Sequence, residues 1–255
     1  MATITSDMRS DIDRERAFFL KMALAMAAVI VAGFSFNLAA GRSSFSVSPI
    51  YHIHAFVFFG WLTLYVTQNV LVVTGRTELH RTLGWLALAW IPMMIGMGMA
   101  LTLHSIRTTG GPFFFDTNEF LFGNSLGVIA FGGTAIAAII LRRRSDWHRR
   151  LMCCAMASLT GPGFGRLLPM PFLIPWAWWV ASVGVPMIFA LIGMHRDWRH
   201  RGRVHPAWLW AVGGLVASQV VADLVAYSPA GIAITHSVVA GTPGAARTDM
   251  RAHFP

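Results

Sequence analysis

Charge is what this sequence has least of. Only 12% of its 255 residues are Asp, Glu, Lys or Arg, about half the share of an average soluble domain. That excludes a disordered chain, a coiled coil and a nucleic-acid-binding module. Cysteine is nearly absent too. The two present, Cys153 and Cys154, are adjacent, which excludes a disulfide scaffold and a Cys-based metal knuckle. No Ser-His-Asp order, His-Glu-x-x-His pair or phosphate loop occurs, and no carboxylate cluster has metal spacing. What fills the space is apolar bulk: ten Trp, eighteen Phe and fourteen Met, with 55% hydrophobic residues in all.

That bulk is organised in runs. A helix crossing the hydrocarbon needs about 20 apolar residues. Seven runs qualify: about Phe18–Ala40, Ile50–Val73, Thr82–Leu103, Phe120–Leu141, Leu151–Leu168, Trp176–Met194 and Pro206–Ala226. Barrel strands alternate and are shorter, so the runs read as helices. The fold class expected is an all-α, polytopic seven-helix membrane bundle. A cytoplasmic arm (1–17) precedes the transmembrane domain (18–226), and an external tail (227–255) follows it. The fifth run holds Gly161-Pro162-Gly163 and Arg166, with Pro169, Pro171 and Pro175 beyond it. It is expected to be kinked or short, with an irregular turn after it. The first run is read as a retained helix. Its leader mixes acids with arginines, and Leu38 sits where a signal-peptide cleavage site needs a small residue. The tail contains only a nine-residue apolar stretch, Ile232–Ala240, too short to span. It is expected to be mobile or to lie on the outer surface.

Arginine sets the orientation. Fifteen of the twenty Lys and Arg fall in the N-terminal arm and in the second-to-third, fourth-to-fifth and sixth-to-seventh connections; the other side has Arg42, Arg107, Arg166, Arg247 and Arg251. Alternation of this kind follows the positive-inside rule. It places the N-terminus in the cytoplasm and the C-terminus outside. The net charge of +9 then reflects orientation and an anionic cytoplasmic leaflet as partner, and needs no nucleic acid. A membrane-protein partner or a second copy of the chain is left open.

Polar residues inside the runs are costly and mark sites. They form two layers. The inner layer has His80 and His148, with Gln68 and Asn69 at the same depth; the outer has His52, His54, His104, Glu119, Arg166 and Asp223. His54, Phe58, Trp61, Tyr65 and Gln68 share one face of their helix, and His52 points about 200° away from His54. His148, Met152, Ala155, Leu159, Pro162 and Arg166 share a face of the fifth helix. Two stretches repeat a pattern of an acid, an apolar residue and His-Arg-x-Leu: Glu78–Leu83 and Asp146–Leu151.

Facing imidazoles can ligate haem b, with a nearby Arg meeting a propionate. His80 and His148 are the inner candidates, Arg81 and Arg149 their assistants, and Gly84 leaves room for a flat ring. His54 and His104 are the outer candidates. The plainer reading makes each His-Arg pair an interfacial anchor. Arg166 needs a partner inside its apolar run. Glu119, Asp116 or Asp223 would serve, making a Glu119–Arg166–Asp223 cluster for a proton, a substrate or simple packing. The cysteines read as small apolar fillers, and Gly96–Met99 and Gly132-Gly133 as close helix packing.

His54, Gln68, Gly75-Arg76, His80-Arg81-x-Leu83-Gly84 and His148-Arg149-Arg150-x-Met152 together resemble a bacterial family of small integral membrane proteins defined as a domain of unknown function. The resemblance covers helices two to five. It implies a four-helix core with additions at both ends and a place in the bacterial inner membrane, and it implies no activity. A looser likeness is to the four-helix two-haem cytochromes b, which place a His pair toward each membrane face. The fourth run here carries no His. The leading expectation is a haem-binding or redox membrane protein. The alternative is a non-catalytic membrane subunit or small-molecule carrier without a cofactor. A metal-dependent lipid enzyme is more distant, for want of ligands.

Overall fold

The computed structural model describes residues 6–247, and the described residues form helices and turns without strands. The elements are α1 Ser6–Ala39, α2 Pro49–Val73, α3 Thr77–Gly84, α4 Leu86–Thr109, α5 Thr117–Ile140, α6 Ser145–Ser158, α7 Gly161–Leu167, α8 Met187–Arg201, α9 Pro206–Ala226 and α10 Pro229–Val239. Six stretches are long and apolar enough to cross a membrane: Asp11–Ala39, Pro49–Val73, Leu86–Thr109, Thr117–Ile140, Trp179–Arg201 and Pro206–Ala226. Their outward faces carry large apolar side chains, among them Phe56, Ile140, Trp210 and Leu224. These features fit a multi-pass membrane protein.

Proline accounts for the interruptions. Pro162 has no N–H to give Ser158, and its ring collides with that carbonyl. The fifth run therefore divides there, with α6 ending at Ser158 and α7 beginning at Gly161. Pro169 pushes Leu168 into an extended conformation and ends α7. Pro186 leaves the Ser182 carbonyl without its usual donor, and the chain before it widens into a π-type stretch, Trp179–Gly184. The third run starts earlier than its apolar residues, as α3, and turns at Trp85 on i→i+3 bonds before α4.

Helix α5 is the axis of the bundle and packs on α4, α6 and α9. Its contact with α4 relies on glycine. A Cβ at Gly132 would come 2.6 Å from Ile95, and one at Gly98 would come 3.2 Å from Val128. The glycines beside them, Gly96 and Gly133, face open space. The broken pair α6–α7 lies along α1. Arg149 and Arg150 meet Glu15 near one end, and Gly163 touches Gly33 near the other, where a Cβ on Gly33 would fall 2.4 Å from the Gly163 carbonyl oxygen. Phe131, Ile91, Met94, Met156 and Trp208 are fully enclosed among these helices.

The described part of the tail packs back on the bundle. Residues 229–247 are docked, not free. Helix α10 packs on α4, α5 and α9. Arg247 donates from Nη1 to the Gly110, Gly111 and Pro112 carbonyls and from Nη2 to those of Phe113 and Phe115. Five carbonyls of the α4–α5 loop thus share one guanidinium. A nine-residue apolar stretch is too short to cross, but it is long enough to cover a helix face. Arg247→Ala is expected to cost about 1 kcal/mol, because part-buried loop carbonyls lose a charged donor and can turn partly to water. Faster hydrogen exchange along α10 would report it; unchanged exchange would mean the staple carries no load.

Candidate functional site

The inner layer is assembled from α2, α3 and α6. The imidazoles of His80 and His148 lie with ring centroids 6.3 Å apart and planes at 80°. His148 Nδ1 donates to the Ala138 carbonyl at the end of α5, 2.8 Å away. That bond fixes the tautomer and leaves Nε2 as the basic nitrogen. His80 Nδ1 is buried with no hydrogen-bond partner among the described residues, and so is Gln68 Oε1. Burial, then the neighbouring His148, holds the His80 imidazole below its ordinary value, so it is neutral near pH 7. Gln68 faces Gly84, where a Cβ would meet only Gln68 Nε2, at 3.8 Å. Packing alone therefore does not demand glycine at 84.

The same face of α2 continues inward through Tyr65 and Trp61, both buried. The Trp61 indole N–H also lacks an acceptor among the described residues. His52 is exposed, with its ring at the Phe45 carbonyl, 3.1 Å away, as the helical phase requires. The two assisting arginines are turned elsewhere. Arg81 pairs with Glu78 at the exposed start of α3, and Arg149 pairs with Glu15 of α1. Each has an acid within reach, and a guanidinium takes the nearest carboxylate.

The outer layer divides into three. His54 stacks on Phe58 at 4.1 Å, while His104 stands edge-on to Tyr51 at 5.6 Å. The two rings are not in contact. Arg166 makes no ion pair with Glu119 or Asp223. It donates to the Pro162 carbonyl and lies over the Phe34 ring, 3.9 Å from its centroid. The break after Ser158 resets the helical phase, and the Gly33–Gly163 contact turns this face of α7 toward α1. The expected Glu119–Arg166–Asp223 cluster thus loses its cation.

The acids do gather. Asp223 accepts from the Trp179 indole at 2.7 Å and from the Gln219 amide at 2.7 Å, and Gln219 accepts from the Trp178 indole at 2.9 Å. Tyr227 donates to Asp116 at 2.9 Å. Asp116, Glu119 and Tyr227 line a cavity of ≈ 50 Å³ together with Phe113, Phe114 and Phe115, enough for a few waters. Among the described residues, Glu119 and Asp223 form no ion pair within 4.0 Å, and no group of three His, Cys, Asp or Glu is arranged to hold a metal ion.

Sequence reasoning missed one further polar group. Arg150, counted among the loop cations, is 0% exposed. Its Nε and Nη2 donate to Asp197 at 2.7 and 2.6 Å, and Trp208 Nε1 donates to the same carboxylate at 2.8 Å. The available signal was the charge imbalance on the arginine-rich side, where seven acids meet fifteen cations; of these acids, Glu15, Glu78, Asp146 and Asp197 sit near helix mouths, and each is engaged. Comparisons with known protein families, with curated proteins and with solved structures find no match.

Proposed function

We propose that the chain crosses a bacterial inner membrane seven times, N-terminus inside and tail outside, and that His80 and His148 would hold a haem b near its cytoplasmic edge. The seventh crossing is the broken pair α6–α7. It follows α1 from Glu15 to Gly33, 18 residues or about 27 Å of rise, close to the roughly 30 Å of a hydrocarbon core. Counting it restores the alternation of arginine-rich connections.

One observation carries the haem reading. Two imidazoles sharing one iron would have ring centres roughly 6–6.5 Å apart, allowing about 2 Å for each metal–nitrogen bond. The observed separation is 6.3 Å. The second support is the bond from His148 Nδ1 to a backbone carbonyl, the arrangement that orients ligating histidines. Gly84 and the half-buried Gln68 leave the flank of His80 without bulk. A bound haem would supply one-electron transfer there. The protein's part is to present two neutral imidazoles and to hold one by Ala138. Arg81 and Arg149 have no share in this reading, since both are turned to acids. The motif resemblance joins the same two histidines and adds no activity.

The purified protein is expected to show a Soret band and a haem b pyridine extract. His148→Ala should lose both, and His52→Ala, at an exposed ring, should keep both. Protein from haem-replete cells without a Soret band and without extractable haem rejects the proposal. So does retention of haem by both His80→Ala and His148→Ala.

The alternative is a cofactor-free subunit or small-molecule carrier, and the acid-lined outer cavity favours it. Glu119, which forms no ion pair among the described residues, would take up a proton or a small cation there. Cation-dependent stabilisation abolished by Glu119→Gln, in protein lacking haem, would select that reading.

A further inference from the structure

We propose that the cytoplasmic ends of α1, α6 and α8 form a binding site for a phosphate-bearing anion, with Arg149, Arg196 and Arg201 as its donors. The argument begins from unequal numbers. Four guanidiniums converge there, those of Arg149, Arg150, Arg196 and Arg201, against the carboxylates of Glu15 and Asp197. Asp197 is consumed by Arg150 and Trp208. Glu15 Oε1 alone is shared by Arg149 at 2.8 Å, Arg201 at 2.9 Å and Arg150 at 3.3 Å. The next acid outward, Asp146, is held by His205 at 2.9 Å. Asp146 also acts on Arg149, so among the described residues one positive charge of the four is left without a counter-charge.

The donors are in surplus as well. Arg149 Nε is buried with no acceptor among the described residues. Yet the Arg149 and Arg201 side chains retain 28% and 39% of their exposure, so an incoming anion can reach them. Arg196 spreads over the Phe18 ring, 4.6 Å from its centroid, and Arg149 over Phe19 at 5.8 Å. The cations are therefore held at an apolar edge instead of extending into water. Guanidinium forks recognise phosphate in bidentate fashion. Basic pockets between helices on the cytoplasmic side suit anionic lipid head groups. The chemistry required is a phosphate monoanion or dianion, supplied by a lipid phosphodiester or by free phosphate.

The test is thermal unfolding of the whole protein in neutral detergent, titrated separately with phosphatidylglycerol, phosphatidylcholine and sodium phosphate. Phosphatidylglycerol is expected to raise the midpoint and phosphatidylcholine to leave it unchanged. Arg149→Gln should weaken the apparent phosphatidylglycerol affinity about fivefold, the effect of one surface cation. Arg142→Gln, whose guanidinium lies over Trp85, should change it less than about twofold. If Arg149→Gln does not fold, Arg201→Gln carries the same expectation. Stabilisation by sodium phosphate alone would name free phosphate as the ligand, and its absence would name the lipid head group. Equal responses to the two lipids, with no response to sodium phosphate, overturn the site. So do equal losses in Arg149→Gln and Arg142→Gln, which would reduce it to general surface charge.

Discussion

Asp197→Leu is expected to destabilise the folded protein by about 3–5 kcal/mol, the cost of leaving a buried guanidinium without its counter-charge. Arg150 is 0% exposed and Asp197 2%, so neither can turn to water for compensation. The Trp208 indole loses its acceptor in the same change. The double variant Arg150→Met with Asp197→Leu is expected to recover most of the loss. Burying the pair required stripping both ions of water, and an apolar pair of similar size avoids that cost. The two midpoints of thermal unfolding decide the matter. A single variant as stable as the native chain would show that Glu15 and the Asp146 carbonyl suffice for Arg150. A double variant as poor as the single would show that the pair itself, beyond charge balance, holds α6 to α8.

The second large effect is expected at Gly33. A side chain there meets the backbone of Gly163, and a carbonyl cannot swing aside as a flexible side chain can. Reciprocally, a Cβ on Gly163 would lie 3.0 Å from the Ile30 Cα. Gly33→Val should therefore prise α7 from α1 and cost about 1–3 kcal/mol or more, as overpacking does. Gly214→Val is the control, since nothing lies within 4 Å of its Cβ position; it should stay within about 0.5 kcal/mol. The contrast matters because, in the proposed seven-span topology, α7 would complete the crossing that α6 begins. Equal melting of the two variants would mean that the α1–α7 contact is incidental.

Much of this architecture is legible in the amino-acid order, because hydrocarbon is an unforgiving solvent. Length and apolarity pick out the spans, and prolines mark where they break. The division of the fifth run follows from Pro162 alone. Helical phase also separates His54 from His52, and it puts Gln68 at the depth of His80. Phase fails where a helix breaks. A continuous helix from His148 would put Arg166 on the His148 face, but two residues of turn at Leu159 and Thr160 send it to Phe34 instead. The burial of Arg150 is hidden for another reason. An arginine in a cytoplasmic loop and an arginine sealed against an aspartate 47 residues later look alike in sequence. The docking of α10 escapes a length criterion that asks only whether a helix can span. Arg247, one of five cations on the sparse side, gives no local sign that five carbonyls await it.

The sides of the membrane assigned to the two layers rest on an odd number of crossings, and labelling the chain ends tests that number directly. Asp13 and Ser237 are exposed, at opposite ends of the chain, and the native Cys153 and Cys154 are buried. A membrane-impermeant maleimide applied to intact cells should label the Ser237→Cys variant at once, and the Asp13→Cys variant only after permeabilisation. Labelling of both variants from the same side would contradict seven crossings and would remove the basis for placing the proposed haem site at the cytoplasmic edge.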